Sequence, residues 1–250
     1  MFRVLITDNL SKAGLQILEQ TPGIEVVNKS VGSLEELRKE LAQADGIIVR
    51  SATKLPAAAR QAKVAVAANM SPDNQMQMLD QIEADFVTAD TMDLWIEIAN
   101  ERLHEVLKRI DLLVINDGEA KEFAGTTNLV DAGRRLQAKG PRFVIVKRGE
   151  HGSFLFGENK EDFFACSAYP LHSVFDPTGA GDSFLGGLSG WLAANGKTKP
   201  TFEDLKTAVV HGSVTASYTC EAFSTHKLQT VSKADIAARI AELRSFTSFA

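Results

Sequence analysis

Short runs rich in valine and isoleucine recur along most of this chain, without polar alternation, and amphipathic stretches separate them. Parallel strands covered by helices on both faces need such runs, because neither side of the strand meets water. The pattern predicts strands over Val4–Thr7, Ile24–Asn28, Gly46–Arg50, Val64–Ala68, Phe86–Ala89, Leu112–Ile115 and Phe143–Lys147. Helices are expected between them. One begins at Ser11; another at Ser33, three before Glu36 in a capping-box spacing; a third at Ser71-Pro72, an N-cap followed by proline at the first helical position. The repeated β-α order predicts a doubly wound, mostly parallel sheet in three α/β/α layers, with residues 1–250 as a single domain.

After Lys147 the rhythm changes. Gly149 and Gly152 bracket a tight turn, Ser153–Phe156 and Asp162–Cys166 read as antiparallel additions, and helices follow over Ala180–Asn195, Phe202–Thr219 and Ser232–Ser245. Composition removes several functions. The net charge of −5, with no basic run, gives no footprint for nucleic acid. Two cysteines, Cys166 and Cys220, are too few for a disulfide framework, and no Cys/His cluster suggests zinc. No apolar stretch approaches the ~20 residues of a membrane span. The expected setting is therefore a cytoplasmic globular protein.

The sharpest local feature is Asp176-Pro-Thr-Gly-Ala-Gly-Asp182-Ser-Phe184, which opens an apolar helix. Gly179, Ala180 and Gly181 allow a turn that aims backbone N–H groups at one spot, where the helix terminus adds about half a positive charge. That is an anion hole suited to a phosphate whose charge grows during transfer, and Asp182 at its rim can accept a proton from an attacking hydroxyl. The plain alternative is a tight turn followed by a first-turn acid. Gly186, Gly187 and Gly190 count against it, since each glycine inside a helix costs about 1 kcal/mol against alanine and three together imply very close packing. Two other phosphate motifs fail: Phe184 stands where a dinucleotide fingerprint needs its third glycine, and Gly196-Lys197-Thr198 follows a helix, with Trp191 where a P-loop needs glycine.

Asp176–Phe184 resembles the C-terminal signature of the ribokinase-like (PfkB) carbohydrate kinases, and further matches follow in order over roughly residues 62–250. Asn116-Asp-Gly-Glu119 is similar to the family's Asn-x-x-Glu motif, Lys147-Arg-Gly149-x-x-Gly152 to its Lys-x-Gly-x-x-Gly turn, and Asp90-Thr-Met-Asp-Leu-Trp95 to a segment of some members. The resemblance implies ATP and Mg²⁺ as cofactors, with Asp182 as catalytic base. Asn116, Lys147, Gly149, Gly152, Thr178 and His211 would lie at the nucleotide, Glu119 would organise Mg²⁺ through water, and Asp176 would lie beside a monovalent cation such as K⁺. The plainer readings are that Asn116 and Glu119 cap a helix, that Lys147 is a solvated strand end and that His211 is a packed core histidine.

The first 55 or so residues resemble a different family. Val4–Asp8, Ala13-Gly-Leu15, Ser33–Leu37 and Ala44–Lys54 are similar to the N-terminal β-α-β-α-β unit of D-3-phosphoglycerate dehydrogenases. There the residues matching Arg50 and Ser51 contact substrate; here a vestigial role, or a plain strand end, is expected. Two signatures in one βα rhythm imply an engineered chimera, residues 1–58 dehydrogenase-like and 59–250 kinase-like, joined near Leu55–Lys63 and sharing a sheet. Such a chain keeps the ATP-binding half of a sugar kinase, with nucleotide and a small sugar as its ligands and sugar turnover impaired or lost. The alternative is a non-catalytic folding scaffold, and either form can self-associate through an exposed sheet edge.

Overall fold

The computed structural model describes residues 2–6, 12–29, 35, 39–40, 43–44, 46–48 and 61–248. Arg50, Ser51, the capping box expected at Ser33 and most of the expected junction lie outside these residues. The chain divides into two compact units, Met1–Ala62 with Gln77–Ala84, and Lys63–Met76 with Asp85–Ala250. Among the described residues the strands fall into two sheets rather than the one shared sheet expected from the sequence.

The first unit has a three-stranded parallel sheet of order β2-β1-β3, formed by β1 (Phe2–Ile6), β2 (Ile24–Asn28) and β3 (Gly46–Ile48). Helix α1 (Lys12–Gln20) connects β1 to β2, and Gly23 turns the chain with a φ of +86°. The central strand is the apolar one, with Val4, Leu5 and Ile6 buried.

The second sheet has six strands in sequential order, β4 (Gln61–Ala67), β5 (Glu83–Asp90), β6 (Leu112–Asn116), β7 (Phe143–Lys147), β8 (Ser153–Phe156) and β9 (Phe163–Cys166). Strands β5 to β7 run parallel, and β8 and β9 are the antiparallel additions. The intervening helices are α2 (Pro72–Leu79), α3 (Asp93–Ile98), α4 (Asn100–Leu107), α5 (Asp117–Ala124) and α6 (Leu129–Gln137), and α7 (Ala180–Ala194), α8 (Phe202–Thr219) and α9 (Lys233–Thr247) follow the strands. The expected cap at Ser71 is present, its hydroxyl accepting from the Asn74 N–H at 3.3 Å.

Strand pleating sorts the apolar residues between two faces. Phe86, Leu112, Val114, Phe143, Ile145 and Leu155 pack against Leu185, Leu188 and Leu192 of α7 and Leu205 and Val209 of α8. Leu113, Ile115, Val144 and Val146 alternate with them and are equally buried. On that second face α6 comes close at Gly133, where a Cβ would stand 2.2 Å from the Phe156 ring. Helices thus cover the sheet on both sides, giving the expected three layers. Among the described residues, no helix is long and apolar enough to cross a membrane.

Candidate active site

Parallel strands present all their carboxyl ends at one edge, where open α/β sheets bind ligands. Here that edge carries Asp90 at the end of β5, Asn116 at the end of β6 and Lys147 at the end of β7, with Asn116 and Lys147 directly in register. The N-terminus of α7 arrives at the same place. Gly179 adopts a left-handed φ of +81° as its N-cap, and no side chain caps the helix. Asp176 fixes the preceding turn by accepting the Thr178 N–H at 2.9 Å, a bond that holds its carboxyl below the usual range. The Ala180 N–H is taken by the Pro177 carbonyl at 3.0 Å. Of the three residues expected to form the anion hole, Gly179 and Gly181 are therefore the ones left to offer amides.

Close helix packing holds that terminus in position, through fewer glycines than expected. A Cβ on Gly187 would stand 2.5 Å from Thr215 Oγ1 and 3.1 Å from the His211 carbonyl oxygen, and one on Gly212 of α8 would stand 2.7 Å from the Phe184 carbonyl oxygen. Gly186 and Gly190 have open space where a Cβ would lie. Only Gly187 of the three explains the close approach, and Gly212, which the motif reading did not single out, is its counterpart.

Lys147 meets the helix end directly. A Cβ built on Gly181 would lie 3.2 Å from Lys147 Nζ. The same ammonium is 3.6 Å from Asp90 Oδ2, and both side chains are largely buried. Lys147 is therefore not a solvated strand end. Burial pushes the Asp90 carboxyl up; Lys147 opposes the rise, and the charge of Asp182 adds to it. Burial likewise raises Glu119, against the Asn116 amide and Lys147, with Asp90 and Asp93 adding to the rise. Asp182 is exposed on the first turn of α7.

Asn116 and Glu119 form a reciprocal capping box on α5. Asn116 Oδ1 accepts from the Glu119 N–H at 2.9 Å, and Glu119 Oε2 accepts from the Asn116 N–H at 3.0 Å. The capping reading is thus realised, and it orients Glu119 at the strand edge. Gly152 has a φ of +81°, and a Cβ there would meet the Cys166 carbonyl oxygen at 1.9 Å, so β9 alone requires a glycine. Gly149 needs one for its φ of +56° only. The His211 ring is half-buried and stacked on Trp191 at 5.7 Å, as a packing histidine would be, and burial lowers its pKa. Among the described residues, no group of three or more His, Cys, Asp or Glu could hold a metal ion.

The motif reading left the charge at Asp90 without a role, although an acid closing an apolar strand was visible as a signal. It also passed over Gln75, whose buried amide donates from Nε2 to the carbonyls of Ala67 at 3.1 Å and Asp90 at 2.9 Å, tying the ends of β4 and β5 together.

A helix terminus with available amides, a lysine beside it and acids around them thus meet at the carboxyl edge of a parallel sheet. Comparison with known proteins gives the family. The family model for pfkB family carbohydrate kinases matches residues 17–230, and the chain belongs to that family. A cytidine kinase from Thermococcus kodakarensis is 29% identical over 199 residues, covering 78% of this chain and 68% of that protein. The nucleoside kinase of Methanocaldococcus jannaschii, a ribokinase-family member, superposes with a TM-score of 0.57 at 21% identity, over 72% of this chain and 56% of that one. The chain thus spans little more than half of that kinase. Aminoimidazole riboside kinase from Salmonella enterica, solved with its riboside and an ATP analogue, gives a TM-score of 0.62 at 15% identity, over 96% of this chain and 84% of that one. The fold is ribokinase-like. The dehydrogenase resemblance rests on a shorter match, 47% identity over 55 residues to D-3-phosphoglycerate dehydrogenase of Bacillus subtilis, which is 22% of this chain and 10% of that protein.

Proposed function

We propose that the chain binds Mg·ATP at the carboxyl edge of β5–β7, in a site built to pass a phosphoryl group to a hydroxyl of a sugar or nucleoside. The observation that carries this is the position of Lys147 Nζ beside Gly181, which joins a side-chain cation to the positive end of α7. The residues fit the ligand. Gly179 and Gly181 leave room for phosphate oxygens against the backbone, and Lys147 supplies the counter-charge. Mg²⁺ keeps several waters and shares itself between one or two carboxylates and the phosphates, so it needs no protein cage; Glu119 would hold it through water. Bound Mg·ATP supplies the phosphoryl group and the metal charge that screens it. The chain's own part is to position and to move one proton. The amides and Lys147 stabilise charge on the group in transfer, and exposed Asp182 takes the proton from the attacking hydroxyl. Asp176 would lie beside a monovalent cation, and Asn116, Gly149, Gly152, Thr178 and His211 around the nucleotide.

We place nucleotide binding ahead of turnover. In the family the acceptor pocket comes largely from residues before about 60. That stretch carries the dehydrogenase-like motifs, although the kinase family model already begins at residue 17, and a 55-residue match to a D-3-phosphoglycerate dehydrogenase accompanies them. That match favours a chimeric chain with weakened sugar turnover, its Arg50 and Ser51 vestigial, over a complete kinase. Calorimetric titration of Mg·ATP, with ADP release screened over sugars and nucleosides, tests both parts. Saturable binding without acceptor-dependent ADP is the expected result; acceptor-dependent ADP release abolished by Asp182→Asn would show full turnover instead.

A further inference from the structure

We propose that Asp90 is the positioning residue for Lys147, holding its ammonium at the N-terminus of α7 before any phosphate arrives. The inference rests on the phosphate-site reading above. Left alone, a lysine would avoid this place. A helix N-terminus repels cations, and the long lysine stem can swing its charged end into water. Yet Lys147 Nζ lies beside Gly181, and its side chain is only 18% exposed.

The counterweight is a carboxylate with little freedom of its own. Asp90 is 6% exposed. Its Oδ1 accepts the Thr91 N–H at 2.8 Å, and its main-chain carbonyl is held by Gln75 Nε2 at 2.9 Å. That leaves Oδ2 facing Lys147 at 3.6 Å. Glu119, Asp93 and Asp182 add negative field around the pair, but among the described residues only Asp90 is in ion-pair contact with the lysine. Buried ion pairs add little net stability, so this one has more to offer as a positioning device. It keeps a cation aimed where phosphate oxygens will sit, which removes an ordering cost from binding.

Calorimetry on the full chain tests this with wild type, Asp90→Asn, Lys147→Met and the double variant, each against Mg·ATP, Mg·ADP and adenosine. Asp90→Asn keeps the side chain's shape and removes its charge. It is expected to weaken both nucleotides by about tenfold or more, the size of a lost charge-assisted contact, while adenosine binds as in wild type. The double variant is expected to match Lys147→Met, because Asp90 acts only through the lysine; this comparison stands even if Asp90→Asn alone does not fold. If Asp90→Asn binds nucleotide like wild type, if adenosine weakens equally, or if the double variant is weaker than Lys147→Met, the positioning role is overturned while the phosphate site stands. If wild type binds no nucleotide, the phosphate site and the role of Asp90 fall together.

Discussion

Gly186 and Gly187 are adjacent residues on one helix, and replacing each with alanine should move stability in opposite directions. Alanine in a helix interior gains about 1 kcal/mol over glycine, and Gly186 and Gly190 have open space for the added methyl. Gly187→Ala gains the same propensity but places Cβ 2.5 Å from Thr215 Oγ1 and 2.8 Å from Thr215 Cβ. Thr215 cannot easily rotate away, because its hydroxyl donates to the His211 carbonyl at 2.8 Å. Overpacking of this kind costs about 1–3 kcal/mol and here requires α7 and α8 to move apart. The net expectation is a gain of about 1 kcal/mol for Gly186→Ala and for Gly190→Ala, and a loss of up to about 2 kcal/mol for Gly187→Ala. Urea unfolding followed by tryptophan fluorescence reads this well, since Trp191 lies on α7 itself. Separation of α7 from α8 would also displace Gly179 and Gly181, so Gly187→Ala should weaken Mg·ATP binding as well. Three midpoints shifted the same way would refute the packing argument.

Two further outcomes follow from the charged groups. Arg134 donates to the carbonyls of Gly157 at 2.9 Å, Asn159 at 3.2 Å, Lys160 at 2.6 Å and Asp162 at 3.0 Å, knitting the β8–β9 turn. Arg134→Ala should cost about 2 kcal/mol in chemical unfolding and strip hydrogen-exchange protection from residues 157–162; Arg134→Lys should not restore it, because a single ammonium nitrogen with three N–H donors cannot reach the four carbonyls that the two guanidinium nitrogens span. Glu119 is raised by burial, so its ionised form weakens the folded state. That contribution to stability is intact below the ordinary glutamate range and is lost as pH rises through the folded value. Glu119→Gln keeps the capping box. Its stability should match wild type at about pH 4 and exceed it increasingly toward neutrality; a pH-independent difference in unfolding free energy would contradict the burial argument.

The strands were legible wherever an apolar run filled them, as in Leu112–Asn116 and Phe143–Lys147. β5 read short at its start because Glu83 and Asp85 are exposed there and break the run. The helices α3 and α4 were not separately legible, being short segments without a side-chain cap, whereas α6 carried a readable N-cap at Asn128 and a first-turn Asp131 that the motif reading passed over. The Asn116–Glu119 spacing carried two readings, cap and kinase motif, and the cap is formed in the structure. The Asp90–Lys147 pair could not be read, since it joins the ends of two strands separated by β6 and depends on the sheet order. The same limit applies to the glycines of α7. Three identical residues differ only in what α8 places opposite them, which is a property of the packing.

The central claim is that the α7 terminus and Lys147 form a phosphate site, and calorimetric titration of Mg·ATP into wild type and Gly181→Arg tests it most directly. An arginine side chain at 181 starts from a Cβ 3.2 Å from Lys147 Nζ and must fill the space the phosphate would occupy. Saturable binding to wild type that disappears in Gly181→Arg is the predicted result. No binding to wild type, or undiminished binding to Gly181→Arg, would contradict it.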